Sequence, residues 1–301
     1  MSTTRHIGTD RASALYLDLL KRCLTDLIYI NDPLSLMVPY RRIRRSERPK
    51  HLLVSGLIAL LKPFGVHAVQ MNRQRYWDYA KLSLDEIKQM RIEGEDWPPR
   101  AHTMIGLKRL DNLQACIETV LREGIEGDLM ETGVWRGGAS IFMKGVLAAY
   151  GDETRNVWLA DSFRGLPPPD AKSYPADQDW NLNRHRELAV SLQDVQANFA
   201  AYGLLDERVR FLEGWFKDTL PNAPVNRLAV LRLDGDLYES TIQVLDALYA
   251  KLSAGGFLIV DDYFLEPCRA AIEDFRRANG VTDTILQIDR MSVYWRKSID
   301  R

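Results

Sequence analysis

The sequence predicts an α/β fold with a doubly wound, mostly parallel sheet of seven strands, closed by an antiparallel hairpin. From Asp128 onward, short apolar runs alternate with helix-length segments, as they do in successive βα units. The last two strand-like runs are separated only by the segment DRM. Because this link is too short for a helical crossover, we expect the two runs to pair as an antiparallel hairpin.

Seven apolar runs supply the strands, and segments with helical periodicity lie between them. The strands are predicted at residues 128–131, 157–161, 209–213, 228–233, 256–260, 284–288 and 292–295. The helical segments carry apolar residues three and four positions apart. The helical segments are GASIFMKGVLAAYG, DVQANFAAYGLL, YESTIQVLDALYAKLSAGG and EPCRAAIEDFRRANG, and several of them end in glycine.

The first hundred residues have a different pattern, which predicts a helical cap or lid. SALYLDLLKRCLTDLIYI has helical periodicity, LLVSGLIALL is a continuous apolar run, and neither belongs to a βα unit. We therefore divide the chain into a helical N-terminal cap at residues 1–100 and a main domain at residues 101–301.

Composition excludes several classes of protein. The 301 residues are 46% apolar with a net charge of −1, so no general attraction to nucleic acid is expected. The three cysteines form no CxxC or Cys/His cluster, which argues against a disulfide framework or a zinc site. We find neither a signal peptide nor an apolar run long enough for a membrane span, and we predict a cytoplasmic protein.

Pairs of acids follow the fourth and fifth predicted strands. Asp234 and Asp236 come after one apolar run, and Asp261 and Asp262 come after the next. The carboxyl ends of neighbouring parallel strands meet at one edge, where ligands of such sheets bind. Carboxylate oxygens at that edge suit Mg²⁺. The alternative is that these acids are separate helix caps or surface residues.

The first three predicted strands end in residues suited to a nucleoside ligand. Glu131 can accept from an amino group or hydroxyl, and Asp161 can accept from both hydroxyls of a ribose. Gly133 lies in a glycine-rich turn, and Gly214 and Trp215 offer a small backbone and an aromatic wall. The alternatives are a tight structural turn for the glycines, a helix cap for Asp161 and a core position for Trp215.

Five motifs in order carry a resemblance to a known family. They are TMIGLKRLDNLQ, GDLMETGVWRGGASIFMKGVLAAYG, VWLADSFRGLPPPD, LRLDGDLYEST and IVDDY. Together they resemble the macrocin O-methyltransferase family, metal- and S-adenosylmethionine-dependent enzymes that methylate sugar or phenolic hydroxyls of natural products. The similarity runs from about Leu15 to Ile30 and from about Tyr76 to the C-terminus. It implies a Rossmann-like class I methyltransferase fold and a homo-oligomer, either a dimer or a tetramer.

The resemblance also implies roles for individual residues. Asp234, Asp261 and Asp262 are expected to hold Mg²⁺, and Asp236 is expected to be the general base. The S-adenosylmethionine site is expected to comprise Glu131, Thr132, Gly133, Asp161, Ser162, Gly214, Trp215 and Asp234.

The expected reaction is Mg²⁺-dependent methyl transfer to a hydroxyl of a glycoside or phenol. A vicinal diol is favoured, because two adjacent oxygens chelate a divalent ion best. Two alternatives stay open. A nicotinamide-dependent sugar oxidoreductase would use the same sheet edge, although the glycine spacing here is G-x-x-x-G-G and not G-x-G-x-x-G. A non-catalytic scaffold that retains only the fold is the other.

An insertion at about residues 32–75 departs from the family, in which the lid is usually shorter. An apolar run at residues 52–61 follows six basic residues, which are Arg41, Arg42, Arg44, Arg45, Arg48 and Lys50. Such a segment packs on its own domain, forms a subunit contact, or binds a membrane surface or an anionic acceptor. The sequence leaves these readings open, and with them the identity of the acceptor.

Overall fold

One seven-stranded sheet organises the computed structural model, which describes residues 11–30, 82–96, 98 and 100–298. The strands are β1 (Asp128–Thr132), β2 (Val157–Asp161), β3 (Val209–Glu213), β4 (Leu228–Leu233), β5 (Leu252–Val260), β6 (Leu286–Gln287) and β7 (Val293–Arg296). The helices are α1 (Arg11–Leu24), α2 (Leu84–Glu93), α3 (Gly106–Arg122), α4 (Gly138–Ala149), α5 (Leu192–Ala201), α6 (Phe216–Thr219), α7 (Tyr238–Leu248) and α8 (Glu266–Ala278). The insertion at about residues 32–75 lies outside the described residues.

The strand order is β3-β2-β1-β4-β5-β7-β6. Strands β1 to β5 are mutually parallel, whereas β7 runs antiparallel to β5 and β6 runs antiparallel to β7. The chain steps outward from β1 to β3 and then returns to the other side of β1 with β4. This confirms the predicted doubly wound sheet with its C-terminal antiparallel hairpin.

Strand β5 starts four residues earlier than predicted. Leu252 is buried and pairs with Leu228, whereas the next paired residue, Phe257, lies opposite Val230. Residues 253–256 therefore form a bulge, which masks the start of the strand in the sequence. The preceding helix correspondingly ends at Leu248, before the segment LSAGG that we had included in it. The other strand ends agree with the prediction to within two residues.

Both faces of the sheet are covered by helices. Leu129 and Leu159 point into one apolar cluster, with residues of α1, α3, α4 and α5. Met130 and Trp158 point into a second cluster, with residues of α7 and α8. This alternation follows from the two-residue period of a strand, and it leaves the strand ends as the accessible part of the sheet.

Helix α1 packs into the main core, although we had assigned it to the cap. Its residues Leu17, Leu20 and Leu24 are buried in the same cluster as Phe142 of α4. The His102 amide also donates to the Leu24 carbonyl at 2.8 Å. The boundary at residue 100 stays a prediction, because most of the proposed cap is not described. Within the described ranges, no helix combines the length and apolar character needed to cross a membrane.

Candidate active site

The sheet register brings the ends of four neighbouring strands into one row. Thr132 pairs with Ala160 on one side and with Leu233 on the other, and Leu233 pairs with Val260. The next residue on each strand therefore belongs to the same edge. These residues are Gly133, Asp161, Asp234 and Asp261.

A cavity of about 510 Å³ lies at this edge. The predicted site residues that line it are Glu131, Gly133, Asp161, Ser162, Gly214, Trp215, Asp234, Asp236, Asp261 and Asp262. Thr132 is the exception. Its side chain is fully buried, and its hydroxyl donates to the Arg232 carbonyl at 3.4 Å. The structure thus brings all of the predicted residues except Thr132 to one cavity.

Three aspartates in this cavity are close enough to share one ion. Asp234, Asp261 and Asp262 each offer a carboxylate oxygen, and the three oxygens lie within 4.8 Å of one another. Asp261 and Asp262 are buried, and Asp234 is half-buried. The three carboxylates converge from the ends of two adjacent strands and offer the hard oxygen atoms that Mg²⁺ prefers.

Two buried arginines, which the sequence reasoning missed, contact this cluster. Arg232 of β4 lies within 2.7 Å of Glu131, 2.8 Å of Asp234 and 2.7 Å of Asp261. Arg109 of α3 lies 2.9 Å from the other oxygen of Asp261. A charge inside the buried strand LAVLRL must be paired, and that signal could have revealed Arg232. No comparable local signal marks Arg109.

The carboxyl groups of the cluster differ in pKa because their neighbours differ. Burial opposes ionisation of Asp261, but the charges of Arg109 and Arg232 outweigh it and hold the pKa of Asp261 below its usual value. Burial and the neighbouring acids raise the pKa of Asp262 well above its usual value. The same causes raise the pKa of Asp236 to about 7. The site therefore holds more carboxylates than its two arginines neutralise.

Asp236 occupies a strained turn. Its φ is +58°, a left-handed conformation that few residues other than glycine adopt. The Leu237 amide donates to the Gly235 carbonyl at 2.6 Å, which closes a three-residue turn centred on Asp236. The Asp236 amide donates to Asp262 at 3.2 Å. Strained residues held by their surroundings are frequent at functional sites, and this one faces the cavity.

Gly133 is required by close packing as well as by its conformation. Its φ is +84°, and a Cβ at this position would lie 1.7 Å from the carbonyl oxygen of Asp234. The turn after β1 thus touches the backbone that carries the aspartates. This supports the alternative that Gly133 belongs to a tight structural turn. A contact between Gly133 and the cofactor stays a prediction.

We expect Gly133→Ala to lower the free energy of unfolding by at least about 2 kcal/mol, because the Cβ overlaps a backbone atom that cannot move freely. Gly151 is the matched control, since it also has a positive φ, of +64°, but has nothing within 4 Å of the added Cβ. Gly151→Ala should cost only the backbone strain, about 1 kcal/mol. Urea denaturation measures both, and equal losses would show that the close approach is not important.

Asp161 is held at the end of β2 by backbone amides. Its two carboxylate oxygens accept from the Val134 amide at 2.8 Å and the Phe163 amide at 2.7 Å. Each oxygen keeps a further lone pair for a ligand hydroxyl. The hydroxyl of Ser162 donates to the Gly165 carbonyl at 2.6 Å and so stabilises the same loop.

Glu131 is more constrained than the sequence suggested. One carboxylate oxygen accepts from Arg232 at 2.7 Å, and the other accepts from the hydroxyl of Ser140. Burial raises the pKa of Glu131 to about 7, against the opposing charge of Arg232. Its carboxylate thus connects Arg232 of β4 with Ser140 of α4. A direct contact between Glu131 and the cofactor stays a prediction.

The loop between β2 and α5 lines part of the cavity, and hydrogen bonds attach it to the neighbouring structure. The Trp135 indole donates to the Glu187 carbonyl at 2.9 Å. Asp177 is fully buried and accepts from the amides of Tyr238 at 2.7 Å and Glu239 at 3.0 Å. It thereby caps the N-terminus of α7, where a negative charge is favoured. Trp215 is a half-buried residue of the cavity wall and not a core residue.

This arrangement agrees with a comparison against protein families. A family model described as macrocin-O-methyltransferase (TylF) matches residues 13–297. The chain belongs to the macrocin O-methyltransferase family.

Individual relatives of the macrocin O-methyltransferase family are similar over most of the chain. One is 8-demethyl-8-(2,3-dimethoxy-alpha-L-rhamnosyl)-tetracenomycin-C 4'-O-methyltransferase of Streptomyces olivaceus, 48% identical over 289 residues, which are 96% of this chain and 94% of the relative. Mycinamicin III 3''-O-methyltransferase of Micromonospora griseorubida is 54% identical over 215 residues, 70% of this chain and 85% of the relative. The solved structure of the O-methyltransferase NovP has 42% identity and a TM-score of 0.75, covering 95% of this chain and 100% of NovP.

Membership in the macrocin O-methyltransferase family makes this chain an O-methyltransferase. It implies S-adenosylmethionine as the methyl donor. The resemblance drawn from the five motifs is confirmed, and so is the methyltransferase fold. The alternatives of a nicotinamide-dependent oxidoreductase and a non-catalytic scaffold are set aside.

Proposed function

We propose that this enzyme is a Mg²⁺-dependent O-methyltransferase that acts on a sugar hydroxyl of a natural product, with Asp236 as the general base. The convergence of Asp234, Asp261 and Asp262 beside Asp236 in one cavity carries the proposal. The sugar acceptor is supported by the S. olivaceus relative, whose name specifies a rhamnosyl tetracenomycin. A phenolic hydroxyl is the second acceptor class that the family motifs suggest.

The donor set fits a hard divalent cation. Four aspartates line this part of the cavity against two guanidinium groups, so ionising all four would leave negative charge in excess. A divalent cation offsets that repulsion, and Mg²⁺ prefers carboxylate oxygens while keeping positions for other oxygens. We assign Asp234, Asp261 and Asp262 as its ligands. When bound, Mg²⁺ supplies a Lewis acid that lowers the pKa of the acceptor hydroxyl and orients adjacent oxygens.

Asp236 then acts on the acceptor. Its carboxylate takes the hydroxyl proton as the acceptor oxygen attacks the methyl carbon of S-adenosylmethionine. The new O–C bond forms as the S–C bond breaks, and the electron pair of the broken bond stays on sulfur. The products are a methyl ether, S-adenosylhomocysteine and protonated Asp236. Asp161 orients the donor by accepting from its ribose hydroxyls, and the turn at Gly214 and Trp215 bounds the adenine.

The test is methyl transfer to a panel of glycosides, with each vicinal diol matched to the same sugar lacking one of the two hydroxyls. We expect transfer in the presence of Mg²⁺, loss of transfer in EDTA and its return when Mg²⁺ is restored. Removing the neighbouring hydroxyl should lower kcat/KM by about tenfold or more, since one chelating oxygen is lost. S-adenosylhomocysteine and the methylated glycoside are measured by mass spectrometry.

Two outcomes would contradict parts of the proposal separately. Full transfer in EDTA would remove the metal from the mechanism. Equal kcat/KM for the diol and for the matched monohydroxyl sugar would leave the metal in place but end the diol preference.

A further inference from the structure

We propose that Arg232 is a positioning residue that holds the proposed metal ligands of β4 and β5 in register for the cation. The inference rests on the proposed function, since it takes Asp234 and Asp261 as ligands. Arg232 carries a charge of the same sign as the cation and repels it. Electrostatics alone therefore gives no reason for an arginine next to a metal site.

Arg232 is a charged side chain in a buried position, which costs free energy unless the charge is paired. Its side chain is 1% exposed, in the central strand, among residues that are otherwise apolar. Burying an ion pair offers little net stability compared with well-packed apolar side chains. Retention of a charge here therefore calls for another use.

The contacts of Arg232 show what that use is. Nη1 donates to Asp234 Oδ2 at 2.8 Å and to Glu131 Oε1 at 2.7 Å. Nη2 lies 2.7 Å from Asp261 Oδ1 as an ion pair that lacks hydrogen-bond alignment. The two nitrogens belong to one rigid, planar group, so they fix the distance and relative orientation of carboxylates on adjacent strands. Each carboxylate keeps lone pairs for a cation.

Arg109 extends this arrangement from outside the sheet. Its Nη1 donates to Asp261 Oδ2 at 2.9 Å, and its Nε donates to Asp289 at 2.7 Å. Asp261 is thus held from both sides. Asp262, in contrast, makes no ion pair with an arginine among the described residues and accepts from the Asp236 amide.

Two substitutions separate positioning from charge. Arg232→Lys keeps the charge but loses the planar fork, and Arg232→Gln loses the charge. If Arg232 acts only as a repelling charge, Gln tightens metal binding and Lys leaves it unchanged. If Arg232 positions the ligands, both weaken it, by about 10- to 100-fold for an outer-shell partner of a metal ligand.

The experiment titrates Mn²⁺ by electron paramagnetic resonance, with Mg²⁺ as competitor, in the wild type and both variants. We expect a weaker Mn²⁺ affinity in both variants, and unchanged or tighter binding in either would overturn the inference. Arg91→Lys is the matched control, because Arg91 is also 1% exposed and paired, at 2.9 Å from Asp96. It should lose stability without losing Mn²⁺ affinity.

Folding and the proposed function are checked in the same experiment. Circular dichroism establishes that each variant is folded. If neither Arg232 variant folds, Arg232→Met replaces them, because an apolar side chain of similar length fills the buried strand without a charge or a guanidinium. Arg232→Met is also expected to weaken Mn²⁺ binding, and unchanged affinity would overturn the inference. Failure of the wild type to bind Mn²⁺ would instead reject the metal site itself.

Discussion

Asp236→Asn is expected to lower kcat by about 10²- to 10⁴-fold, the usual contribution of a general base. The amide cannot accept the proton of the acceptor hydroxyl. The backbone should be unchanged, because asparagine tolerates the left-handed conformation that Asp236 adopts at a φ of +58°. Mn²⁺ and S-adenosylmethionine affinities should therefore stay at the wild-type level, and single-turnover kinetics measures the chemical step.

Asp246 provides the control for this substitution. It is an exposed acid on α7, the helix that follows Asp236, and Asp246→Asn should leave kcat unchanged. A wild-type kcat in Asp236→Asn at neutral pH would assign proton removal to another group. Loss of cofactor affinity would instead mean that the turn had collapsed.

Asp262→Asn is expected to lower kcat for metal-dependent transfer by about 100-fold or more, since a Lewis acid supplies several kcal/mol of transition-state stabilisation. Asp262 is a better choice than Asp261, whose removal would take one buried partner from each of Arg109 and Arg232. Affinity for S-adenosylmethionine should persist, because Asp262 is not among the expected cofactor contacts, which apart from Asp234 lie at β1 to β3. EDTA added to the wild type should reproduce the variant.

Asp161→Ala tests the proposed cofactor site separately from the proposed metal site. The substitution removes the acceptor of the Val134 and Phe163 amides, so the loop that borders the cofactor loses two hydrogen bonds. Calorimetry should show a large loss of S-adenosylmethionine affinity and little change in Mn²⁺ affinity. An equally complete loss of cofactor affinity in Asp262→Asn would contradict the separation of the metal and cofactor sites.

Most of the sheet could be predicted because its signals are local. Apolar runs and helical periodicity located the strands, and the short DRM link identified the antiparallel hairpin. The start of β5 was missed, because the bulge at residues 253–256 interrupts the apolar run. The cap at residues 1–100 was defined by pattern alone, whereas α1 is buried in the main core.

The candidate site follows the same distinction. The positions of Asp234, Asp261 and Asp262 directly after apolar strands predicted their convergence, because parallel strands end at one edge. The sequence could not show that Glu131 is already bound by Arg232, a residue 101 positions away, or that Arg109 reaches Asp261 across 152 positions. Such partners are chosen by distance in space, which local periodicity does not encode.

The amino-acid sequence by itself determined the order of the elements, the family and the sheet edge that carries the candidate site, since these depend on residue type and spacing along the chain. Only the tertiary structure decided the ionisation of the acids and the conformation of Asp236. Burial and through-space charges hold the pKa of Asp261 low and raise that of Asp262, and the hydrogen bond from the Asp236 amide to Asp262 ties the strained turn to the end of β5. These effects arise from groups that meet only after folding.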